Sequence, residues 1–263
     1  MFTGKFDFPF YKKRDCVNVM NAPTIYILII IFIATLIRST FGFGESLIAV
    51  PLMIFFIPVE IAVPLSVLLS ITIAAVVVVQ DRKQIHFKSA KWLVIFAIPG
   101  VPLGLFMLVH ANENFVKSGL GLLIILYSLY SFIGKQKSKL KTDNMFWLFL
   151  CGFLSGIFGG AYGLNGPPIV VYGNLQNWTS QHFRATLQAY FLPASIVGMF
   201  GYWYQGLWIA SITHYFLISL PIIIPTIFLG RYLNHQLKNN AFFNYIYAGL
   251  ILIGFVLIAQ SFY

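Results

Sequence analysis

The chain has 263 residues, of which 59% are hydrophobic and only 9% charged, and its mean hydropathy is +0.83. This excludes a soluble globular domain or a disordered chain and leaves a polytopic membrane protein. The formal net charge of +10 does not point to nucleic acid: the basic residues collect in short segments between apolar runs, as in DRKQIHFKSAK and GKQKSKLKTD, the pattern of cytoplasmic loops.

About 20 apolar residues cross the roughly 30 Å hydrocarbon core as a helix. Residues 1–23, with Lys12, Lys13 and Arg14, are too polar for the core of a cleaved secretory signal and read as an N-terminal tail. Apolar runs then follow at Thr24 to Phe41, Ile61 to Val79, Trp92 to Val109, Phe115 to Ile133, Met145 to Ala161, Phe183 to Tyr204, Ile209 to Leu229 and Phe242 to Gln260. They show no alternation with period two, so they are helices rather than barrel strands, and the fold class is all-α. Cys16 and Cys151 lie far apart with no metal-ligand spacing, and no histidine pattern suggests a metal, so no cofactor is expected.

The first run continues too far. Thr24 to Ile57 covers 34 residues, which as one straight helix would be roughly 51 Å at 1.5 Å per residue. Gly42 and Gly44 must break it, and Gly159, Gly160, Gly163 and Gly166, followed by Pro167 and Pro168, do the same in the second half. A short half-helix restarts after each break, at Ser46 and near Gly166, with its first N–H groups unpaired. Irregular backbone at membrane depth survives only where it lines a cavity or is buried in protein. Two such breaks therefore predict a central site where helix N-termini face an anion.

The breaks also align with each other. FGFGESLIAVP at 41–51 and FGGAYGLNGPP at 158–168 match at Phe, Gly, Leu and Pro with an offset of 117, and Pro99 with Pro221 and Phe115 with Phe242 keep the order. The chain thus reads as two homologous transmembrane halves, 24–134 and 145–263, joined by a basic linker at 135–144. Two topologies remain. If each break lies within a crossing there are eight spans and Lys plus Arg divide about 12 inside to 4 outside; if each break is the tip of a re-entrant hairpin the halves are inverted and the division is about 11 to 5. The excess length of the first run favours the hairpin.

Glu45 is the one acid inside an apolar stretch, and at such depth it reads as a proton-accepting carboxyl that couples transport. The plainer role is a structural pair with Arg38, seven residues earlier and on the same face if the helix ran on. Arg38 and Arg184 are the cations nearest the breaks, and their planar forks suit an oxyanion or carboxylate. Gln188 lies one turn beyond Arg184. Gly44, Ser46, Tyr162, Gly163, Asn165 and Gly166 complete the candidate substrate-binding set, with Asn165 the best ligand among them. Ser39 and Thr40 read as repairs to freed backbone.

GFGESLIAVPLM (42–53), GAYGLNGPPIVVYG (160–173) and FRATLQAYF (183–191) resemble the motifs of the TauE/SafE-like sulfite and organosulfonate transporters. The resemblance covers most of the chain. Many members have glycines where this chain has Glu45 and Ser46. It implies secondary transport of a small, often sulfur-containing anion across the bacterial inner membrane by a multi-pass protein. The expected partners are that anion, the lipid bilayer and protons, with sodium as coupling ion and a homodimer left open. An anion channel is the alternative. An intramembrane enzyme is the remote one: GFLSG (152–156) faintly resembles a rhomboid nucleophile with His214 as its base, but the spacing is wrong and Ser155 reads as a small packing residue.

Overall fold

A helix in lipid must bond its own backbone, so the apolar runs fold as helices whatever their content of β-branched residues. In the computed structural model the described residues are 22–133, 144–176, 178, 180–236, 251, 252, 254, 255, 258 and 259. They form ten principal α-helices and no strand, apart from short helical stretches in the last apolar run. These are α1 (Ala22–Phe41), α2 (Glu45–Met53), α3 (Val59–Asp81), α4 (Phe87–Ala97), α5 (Gly100–His110), α6 (Glu113–Ile133), α7 (Met145–Tyr162), α8 (Gly166–Leu175), α9 (Ser180–Tyr204) and α10 (Ala210–Gln236). The tail, the linker and most of the run Phe242 to Gln260 lie outside the described residues.

Both breaks occur where glycine was expected to make them. Gly42 and Gly44 adopt φ of +89° and +99°, a left-handed backbone that an L side chain resists. The chain reverses there, because α2 packs back along α1: Tyr26 stacks on Phe56 with ring centroids 5.3 Å apart at the base of the pair, while Arg38 faces Glu45 at its tip. α1 and α2 are therefore the arms of a hairpin. In the second half Gly163 closes α7 at φ +67°, with its N–H donating to Gly159 O at 3.0 Å and Leu164 N–H to Phe158 O at 3.1 Å. α8 packs back against α7 and leads to Trp178, whose ring lies 5.7 Å from Tyr172 and 5.9 Å from His86.

The two hairpins enter from opposite ends of the bundle. α1 runs beside α10 in the same direction, Ser39 lying against Gly230 and Asn234 Nδ2 donating to Thr40 O at 2.6 Å. Its tip thus points toward the end where Arg231 meets Asp81. α7 starts at that end and runs away from it, parallel to α4 and α5, with Gly152 against Leu93, Gly156 against Ala97 and Gly160 against Val101. This glycine ladder brings the helix backbones into contact, the small-residue packing that membrane helices use where no hydrophobic force exists between them.

The expected span Trp92 to Val109 is two helices, α4 and α5, bent by 44°. Pro99, which has no N–H to continue the ladder, sits at the bend. Pro221 and Pro225 lie within α10 without interrupting it. α3 and α9 pack against each other antiparallel between the hairpins, as the contacts Ser70 to Ser195 and Asp81 to Arg184 show. Exposed Phe106, Phe146, Phe200 and Phe228 cover the outside, where lipid replaces water as the solvent.

Candidate functional site

The hairpin tips meet beside Ser70, the twelfth of the 23 residues of α3 and so at mid-depth of a full-length helix. Arg38, in the last turn of α1, is 3% exposed, and Glu45, the first residue of α2, 1%. Arg38 Nη1 donates to Glu45 Oε2 at 2.9 Å and to Ser70 Oγ at 2.7 Å, and Nη2 donates to Gln188 Oε1 at 2.9 Å. Its guanidinium carbon lies 4.8 Å from the centroid of Phe191, and its Nε has no acceptor among the described residues. The arginine is thus held by α1, α2, α3 and α9 with a donor to spare.

Glu45 is equally enclosed. Ser66 Oγ donates to its Oε1 at 2.9 Å and Ser46 Oγ to its Oε2 at 3.0 Å. The carboxylate also stands at the N-terminus of α2, which has no side-chain cap, so the free N–H groups and dipole end there favour its negative charge. Gln188 fixes the tip itself, donating from Nε2 to Gly42 O at 2.7 Å. On the other side Ser70 meets Ser195 Oγ at 3.1 Å, and Asn165 Nδ2 reaches Ser195 at 3.4 Å. The second break is braced from behind: Ser155 Oγ donates to Asn165 O and lies 2.7 Å from Tyr190 Oη, while Tyr202 Oη donates to Gly159 O and Gly160 O.

Between the tips lies a cavity of about 20 Å³ lined by Arg38, Gly44, Glu45, Ser46, Gly163, Asn165 and Gly166, among others. That is room for roughly one water molecule. Eight of the ten residues predicted for the site, namely Arg38, Gly44, Glu45, Ser46, Gly163, Asn165, Gly166 and Gln188, belong to this cavity or bond directly to its walls. Two stand elsewhere. Tyr162 turns its hydroxyl toward Gly119 of α6, on an apolar groove between α6, α7 and α8. Arg184 lies above the first tip, against Gly42, with its Nε 3.7 Å from Asp81.

The sequence matches the Sulfite exporter TauE/SafE family over residues 27–257. The chain belongs to that family. No curated protein and no solved structure matches it. Membership in TauE/SafE makes the chain a multi-pass membrane transporter, and the family is one of sulfite exporters rather than enzymes. Ser155 is engaged with Asn165 and Tyr190, and His214 is not among its partners. No cluster of three or more His, Cys, Asp or Glu that could hold a metal occurs among the described residues.

Beyond the apolar lining of Phe43, Leu47 and Leu164, the sequence did not single out Ser66, Ser70, Ser195 and Phe191, which line the cavity or bond to its walls. A signal existed for the serines. Ser66 and Ser70 stand one turn apart on a helix whose stretch from Ile61 to Val79 has no other polar residue but Thr72, and Ser195 lies two turns beyond Gln188, so each pair shares a helix face. Phe191 sits among many aromatic residues, and only its place under the guanidinium distinguishes it.

Proposed function

We propose that the protein is a secondary active transporter that moves a small sulfur-containing or related organic anion together with a proton, by alternating access around the Arg38 cavity. One observation carries the reading: a buried ion pair, Arg38 with Glu45, stands where two hairpin tips from opposite ends of the bundle meet. An ion pair at this depth is costly to build, and charged residues within membrane spans mark ion and substrate pathways.

The chemistry follows from competition. Glu45 occupies the position an anionic substrate would take, against Arg38, the serine hydroxyls and the N-terminus of α2. Protonation of Glu45 removes that internal counter-charge, and an anion then satisfies Arg38 in its place. One proton and one anion therefore travel together, and the empty carrier returns with the pair re-formed. The cavity is too small for an oxyanion as it stands, so loading requires the tips to part. Separation of one tip opens one end, and separation of the other tip opens the opposite end.

Reciprocal packing supports two homologous, inverted halves, 24–134 and 145–263. α1 leans on α10 from the second half, α7 leans on α4 and α5 from the first, and α3 and α9 pair at the centre. With hairpins, Lys and Arg divide about 11 to 5 in favour of the end that carries Arg82 and Lys83, which makes that end cytoplasmic in a bacterial inner membrane. The test is uptake of sulfite into proteoliposomes. Uptake that saturates and ceases when the proton gradient is collapsed supports the carrier, and gradient-independent flux at ion-channel rates overturns it.

A further inference from the structure

We propose that the basic end of the bundle holds a second oxyanion site, a vestibule built on Arg184 and separate from the Arg38 cavity. It is a cavity of about 280 Å³ between the end of α3, the turn Arg82–Gln84, α9 and α10. Among the described residues four cations line it, Arg82, Lys83, Arg184 and Arg231, against one acid, Asp81. That balance rejects a cation and favours an anion.

Hydrogen bonding narrows the class. The Arg184 side chain is 3% exposed, yet its Nε and Nη2 have no hydrogen-bond acceptor among the described residues, and the buried amide atoms of half-buried Gln80 have no partner among them either. Asp81 does not satisfy the arginines: it stands 3.7 Å from Arg184 Nε and 3.5 Å from Arg231 Nη2, beyond the length of a good N–H···O bond to either. One carboxylate is shared between two forks, leaving several donors over. Buried guanidinium N–H groups left without an acceptor are expensive, and a small oxyanion offers the several acceptor oxygens that planar forks grip.

The vestibule also lies directly over the first hairpin tip. A Cβ at Gly42 would come within 2.9 Å of Arg184 Cα, and the Gly42 carbonyl is held by Gln188, which in turn holds Arg38. Arg184 thus forms the wall between the two sites, and an anion released by one can be received by the other when the tip moves. The vestibule stands on its own residues and does not depend on proton coupling at Glu45.

Calorimetric titration of inorganic phosphate and of sulfite into the purified full-length protein, in neutral detergent, tests the site. Binding that weakens about tenfold in Arg231→Gln and in Lys83→Gln, the loss of one charged contact each, and persists in Arg38→Gln is the expected result. Lys83 is exposed and Arg231 is partly exposed, with 39% of its side chain accessible, so neither substitution opens the core. Native mass spectrometry separates the two sources of oxyanion: phosphatidylglycerol retained by the wild type and lost from Arg231→Gln, with no phosphate binding, assigns the vestibule to a lipid headgroup and still supports an oxyanion site. Binding abolished by Arg38→Gln and unchanged in Arg231→Gln and Lys83→Gln overturns the proposal, as does an absence of both phosphate and lipid binding. Failure of sulfite uptake to follow a proton gradient, with phosphate binding intact, would strike the transport mechanism and spare the vestibule.

Discussion

Arg38 and Glu45 are seven residues apart in sequence and 2.9 Å apart in space, on opposite arms of one hairpin. A continuous helix would also have set them on one face, but two turns apart. The reversal at Gly42 and Gly44 instead presses them together and leaves each open to a different set of partners from α3 and α9.

Glu45→Gln is expected to separate binding from coupling. The amide keeps hydrogen-bonding capacity toward Ser66 and Arg38 but cannot gain or lose a proton. Under the proposed coupling, acid on the loading side of the wild type should protonate Glu45, free Arg38 and raise uptake. The variant should bind the anion with little dependence on pH and show no pH-driven flux. Uptake of a simple alkylsulfonate, whose charge is constant over the working range, measures this directly, and normal pH-driven uptake by the variant would remove Glu45 from the mechanism.

Arg38→Met leaves the Glu45 carboxylate buried without its cation and should destabilise the protein by about 3–5 kcal/mol. The double variant Arg38→Met with Glu45→Gln should recover part of that loss, since it buries no lone charge. Thermal denaturation of the four proteins in one detergent closes the cycle. A double variant whose loss equals the sum of the two single losses would mean that the pair carries no coupling energy.

Gly42→Ala and Gly44→Ala impose the same kind of backbone strain, about 1–2 kcal/mol for a left-handed residue. Only at Gly42 does the new methyl meet backbone, 2.9 Å from Arg184 Cα, whereas at Gly44 its nearest neighbour is Ile37 at 3.6 Å. Gly42→Ala should therefore lower the melting temperature more than Gly44→Ala, and it should also slow transport by propping the tip away from α9. Identical melting temperatures would show that the approach to Arg184 is not a fixed contact.

Ser155→Ala removes a hydroxyl that serves both the Asn165 carbonyl and Tyr190. Leaving those buried groups unpaired costs about 1–3 kcal/mol. The second tip should loosen as a result, with faster hydrogen exchange at residues 163–166 than in the wild type. Unchanged exchange there would show that Tyr202, bonded to Gly159 and Gly160, suffices to hold the break.

Much of this arrangement was legible in the sequence because lipid leaves the chain few options. Uninterrupted apolar runs must be helices, a run of 34 residues must break, and glycine is the residue that breaks it. Glu45 and Arg38 stood out since charge is rare at that depth. What the pattern did not convey is lateral placement. Arg184 and Gln188 share a helix face and lie one turn apart, yet Gln188 reaches Arg38 while Arg184 turns to Asp81. Which of two neighbours reaches a site depends on how α9 crosses α1 and α3, and that is set by packing spread over the whole chain. Serines escaped for a related reason, being equally at home as small packing residues and as ligands.

Distance along the chain gives the site a history as well as a geometry. Gln188 follows Arg38 by 150 residues and Asn234 follows Thr40 by 194. At synthesis rates of about 5–20 residues per second the first of these intervals takes roughly 8–30 s. During that time α1 and α2 have no α9 or α10 to lean on, and Glu45, seven residues on, is the countercharge nearest to Arg38 along the chain. The ion pair buried in the finished fold is thus also what makes its first hairpin electrically neutral while the rest of the protein is still being made.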